Sequence, residues 1–72
     1  MEEDLNVIVT PAVEDAFFFL SALENGKITD SSVAAGERLT AFDPNESAAA
    51  VHSAFQMIDN IRKYGIPCAQ WA

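Results

Sequence analysis

The side chains best suited to nucleophilic or acid–base work are His52 and Cys68, the chain's only histidine and only cysteine, with Asp59 between them in sequence. A catalytic triad needs a nucleophile, a base and an orienting acid converging beside an oxyanion site. Nothing in the spacing of these three brings them together, and no Gly-x-Ser-x-Gly elbow accompanies them. His52 reads as a surface residue of a helix and Cys68 as a small packed hydrophobe on a tail. Metal binding meets the same obstacle, because a zinc site draws on several Cys or His at set spacings. The run Asp43-Pro44-Asn45-Glu46 lacks the ligand order of a calcium loop, and no Gly-x-x-x-x-Gly-Lys loop is present to cradle a phosphate. Asn45-Glu46-Ser47 matches the glycosylation triplet, but with no secretion leader it reads as a chance match. The expectation is a chain with no catalytic residue, no metal and no cofactor.

Whatever surface functions here must be positioned by a small framework. The chain has 72 residues, half of them apolar, and a formal charge of −7 from eleven acids and four bases. That charge disfavours direct nucleic-acid binding, which needs Lys and Arg in number, and the apolar content disfavours disorder. No apolar run approaches the roughly 20 residues of a membrane span. The acidic start Met1-Glu2-Glu3-Asp4 and the lone cysteine fit a cytoplasmic protein. A chain of this size buries only about 60% of its unfolded surface, so partner binding or self-association is a physical expectation before any motif is considered.

The breaks at Thr10-Pro11, Asn25-Gly26, Asp43-Pro44 and Gly65-Ile66-Pro67 divide a single domain, 1–72, into an arm, three helices and a tail. Asp43 caps a helix over residues 44–64, with Pro44 at its first position, Glu46 favouring the positive end of the dipole, and Gly65-Ile66-Pro67 as a Schellman stop on Ile61. Ser47, Val51, Ala54, Phe55, Ile58 and Ile61 fall on one stripe, while His52, Ser53, Gln56, Asn60 and Lys63 fall on a solvated side. Asp59 and Lys63 are an acid-before-base pair one turn apart.

The first helix covers residues 11–25, from a Thr10 cap to a Gly26 stop, with Glu14 and Asp15 in its first turns. Val13, Ala16, Phe17, Leu20 and Leu23 line its inner face. Phe18 projects about 140° from Val13 at roughly 100° per residue and is therefore off that face. Three consecutive phenylalanines cannot enter one seam. Between the two helices, Thr29 or Asp30 caps a shorter one over residues 30–42, with Ala35, Gly36, Leu39 and Phe42 inward. Gly36 costs about 1 kcal/mol there relative to Ala, the alternative being that a small residue permits close backbone approach to a neighbouring helix.

The arm, residues 1–10, is too short at Val7-Ile8-Val9 to choose between strand and coil by pattern. It is expected to lie over the groove between helices, the alternative being a strand paired with a second molecule. The tail, residues 65–72, is non-helical after Pro67, with Trp71 docked. The fold expected is all-α, a compact three-helix bundle with an apolar arm and an aromatic tail.

The acids are lopsided: residues 1–26 carry −6 and residues 27–72 carry −1. Helix-dipole complementation and solubility account for most of them. Two functional expectations follow. One is a non-enzymatic protein–protein interaction module that presents an apolar patch framed by acids to a partner with a basic surface. Phe18, Glu14, Asp15, Val7 and Trp71 are its contact candidates, and Phe18, Val7 and Trp71 also serve a homodimer. The alternative is an acidic inhibitor of the phage or mobile-element class, blocking the nucleic-acid groove of a target by partial mimicry.

Overall fold

The computed structural model describes residues 6–71, so the acids Glu2, Glu3 and Asp4 lie outside the described residues. Helix α1 (Pro11–Asn25) starts where the Thr10 hydroxyl accepts a hydrogen bond from the Val13 amide at 3.3 Å. Pro11 occupies the first position, where the missing amide has nothing to lose. Gly26 ends the helix at φ +68°, a left-handed conformation that a Cβ would strain. From there the Gly26 and Lys27 amides return to the Leu23 and Ala22 carbonyls, at 3.2 and 3.0 Å, as a Schellman stop.

Thr29 caps α2 (Asp30–Thr40) through a reciprocal box: its hydroxyl accepts from the Ser32 amide, and its own amide donates to the Ser32 hydroxyl at 2.8 Å. The helix ends at Thr40 and does not reach Phe42. The Ala41 amide turns back to the Arg38 and Leu39 carbonyls, and Pro44 disfavours a helical Asp43. Helix α3 (Pro44–Tyr64) begins where the Asp43 carboxylate accepts from the Asn45 amide at 2.8 Å. It closes on a single bond from the Gly65 amide to the Ile61 carbonyl. This is the simpler left-handed stop, and Ile66 stays exposed and does not fold back as the sequence led us to expect.

The arm has a partner inside the chain, which corrects the purely helical expectation. Strand β1 (Val7–Val9) pairs in parallel with β2 (Ala69–Trp71), in the register Val7 with Ala69, Ile8 with Gln70 and Val9 with Trp71. The Val7 amide donates to the Cys68 carbonyl at 2.7 Å. Cys68 reaches that position at φ +53°, the one non-glycine residue with positive φ among the described residues.

The chain is thus a mostly helical, compact globule of three helices with a small two-stranded sheet. Helix α1 packs against both other helices, whereas α2 and α3 meet little and are tied near their junction by the Ser47 hydroxyl donating to the Leu39 carbonyl at 2.7 Å. Val9, Ala12, Val13, Ala16, Leu39, Ala50, Ala54 and Met57 form the core. Its many alanines let helices approach closely, and a buried side chain such as Met57 contributes roughly 1.5–3 kcal/mol by leaving water. Leu23, Phe55 and Ile61, which the periodicity assigns to inner stripes, are exposed, and Ile61 lines an open cleft with Ser21, Glu24 and Asn25 of α1. Asn60, assigned to the solvated side, is 1% exposed. Among the described residues no helix is long and apolar enough to cross a membrane.

Candidate interaction surface

The three phenylalanines of α1 go three ways. Phe19 lays its ring on Gly36 of α2, so closely that a Cβ at Gly36 would stand 2.9 Å from the ring's Cδ1. The small residue therefore admits a side chain of the neighbouring helix, where the sequence led us to expect a backbone approach. Phe17 packs against the core at the other border. Phe18 is left pointing out and is 45% exposed. It stands over an open groove of about 420 Å³ that it lines with Ser21, Ala22, Asn25, Lys27 and Thr29.

Electrostatics around this helix are less negative than the acid count implies. Asp15 accepts two bonds at Oδ1 from Arg38, from Nε at 3.2 Å and Nη2 at 3.0 Å, and its carboxylate is largely covered. Glu24 is paired with Arg62 of α3. Exposed Glu14 stands one turn before Phe18 on the same face, while Lys27 lines the groove. Elsewhere, Lys63 and Asp59 make the expected pair at 3.1 Å. Its hydrogen bond, and then its Coulomb attraction, raise the Lys63 ammonium above its ordinary pKa.

Neither Val7 nor Trp71 lines the groove under Phe18. Val7 is half-buried against the core with its amide used in the strand pair, and so offers little side chain to a partner. Trp71, expected to dock, is 63% exposed at the end of β2 and does not dock. Phe18 and Glu14 thus form one surface, with Asp15 committed to Arg38. Asn60 was the residue that sequence reasoning missed. It accepts from the Gln56 side chain at 3.1 Å and donates to the Pro67 carbonyl at 3.4 Å, holding the tail where β2 can form. The signal available was an i,i+4 pair of amides on one helix face, which equally describes a solvated pair.

His52 is exposed on α3, and Cys68 is half-buried with its sulfur 3.8 Å from the Ile66 carbonyl. Among the described residues no group of three or more His, Cys, Asp or Glu could hold a metal ion. Comparison of the chain with protein-family models, with curated proteins and with solved structures returns no match.

Proposed function

We propose that this chain is a non-enzymatic protein–protein interaction module that docks the Phe18 face of α1 on an apolar patch of a partner protein. The observation that carries this reading is the position of Phe18: its two neighbours in sequence are packed, and it alone of the three turns outward over an open groove. Exposing a large aromatic ring on a chain this small leaves apolar area that a partner would cover, and aromatic anchors of this kind dominate binding energy at interfaces. Glu14 beside it matches a partner with a basic group at the rim, which speeds encounter more than it adds affinity. A reading based on charge alone, the acidic inhibitor, is weakened by the commitment of Asp15 and Glu24 to arginines of this chain.

The test is Phe18→Asp. The variant is expected to keep its helical circular dichroism and to lose, by about tenfold or more, any partner that the unaltered chain retains from extracts of its host. Unfolding of the variant would show Phe18 to be structural. Undiminished retention would remove it from the interface.

A further inference from the structure

The two-stranded sheet is an incomplete object. Parallel strands occur almost only where both faces of their sheet are covered, and here the outer face carries Ile8, 54% exposed, and Gln70, also exposed. Backbone groups alternate sides along a strand. Since the Val7 amide points to β2, the amide and carbonyl of Ile8 turn to the opposite edge of β1, where no further strand lies among the described residues. Such an edge is a ready template for another extended chain.

The geometry points to a second copy of this chain as that occupant, paired antiparallel through β1 about a two-fold axis at Ile8. The sequence of the strand is self-complementary under that operation: in Asn6-Val7-Ile8-Val9-Thr10, reversal sets Ile8 against Ile8, Val7 against Val9, and polar Asn6 against polar Thr10. Facing Ile8 residues would exchange both amide-to-carbonyl bonds, and their side chains would meet on the exposed face of a four-stranded sheet, β2-β1-β1-β2. An isologous contact of this kind closes on itself and stops at two copies. A strand contact this short covers less than the roughly 800 Å² per partner of a standard interface, so the dimer is a weak one. It also joins two chains of charge −7, and screening should favour it. No residue of β1 lines the groove under Phe18, so either proposal can fail without the other.

Sedimentation equilibrium over a concentration series tests it. The unaltered chain should show a monomer–dimer equilibrium that tightens as salt is raised, and hydrogen exchange at the Ile8 amide should slow as concentration rises. Ile8→Pro removes the outward amide but leaves the Val7 and Val9 amides to β2, and Val7 before it is already extended as proline requires. Ile8→Lys keeps the amide and sets like charges against each other, so it decides the matter should the proline variant not fold. Each is expected to weaken dimerisation by about tenfold or more, and Phe18→Asp should not weaken it. A monomer at every concentration, a dimer indifferent to both Ile8 variants, or a dimer dissolved by Phe18→Asp would overturn the proposal.

Discussion

Gly36 shows how one atom decides the path of a helix pair. On propensity alone, replacing it with leucine should stabilise α2 by up to about 1 kcal/mol. The Phe19 ring already occupies the space a Cβ would need, and overpacking of this kind costs about 1–3 kcal/mol. Gly36→Leu is therefore expected to forfeit the propensity gain and to lower stability by up to about 2 kcal/mol in urea denaturation. A more stable variant would mean that the ring moves aside freely. Phe18 is the complementary case. Its outward placement was legible because roughly 100° per residue forces one of three consecutive rings off the seam. That Phe19 would settle on Gly36 was not, since the meeting depends on the axial level at which α1 and α2 pack.

Among the elements, the ends of α1 and α3 were readable in the sequence because caps act within a few residues: Thr10-Pro11 and Gly26 bound one, Asp43-Pro44 and Gly65 the other. The sheet was not readable, because β1 and β2 come from opposite ends of the chain and three-residue strands carry no measurable period. Asn60 links the two levels. Its bond to the Pro67 carbonyl ties the end of α3 to the turn before β2, and a hydrogen bond of this kind contributes about 0.5–1.5 kcal/mol. Asn60→Ala is expected to destabilise by that amount and to speed hydrogen exchange at the Val7 amide, which donates to the carbonyl of Cys68, the residue after Pro67. Unchanged exchange at Val7 would show that β2 stays in place without Asn60.

At the scale of the whole molecule, the principal extents are 41, 27 and 17 Å, the least of them greater than the roughly 10–12 Å diameter of one helix with its side chains. Helix α1 packs against both other helices, which meet each other little, and apolar side chains remain exposed at Leu23, Phe55 and Ile61. The bundle expected from the sequence assumed that three amphipathic helices would close on one another. Which pairs actually pack depends on where small residues allow close approach. The alanines on α1 and α3 supply that for one pair, and Gly36 with Phe19 for another. The exposed apolar surface left behind is what makes an interaction module the reading that fits this shape. Its most direct test is site-specific photocrosslinking in the native host, with a photoreactive phenylalanine derivative placed at position 18 and, as a control, at exposed His52 on α3. A discrete covalent adduct with one protein from position 18, and none of that adduct from position 52, is the result predicted. Identical adducts from both positions, or none from either, would contradict the account.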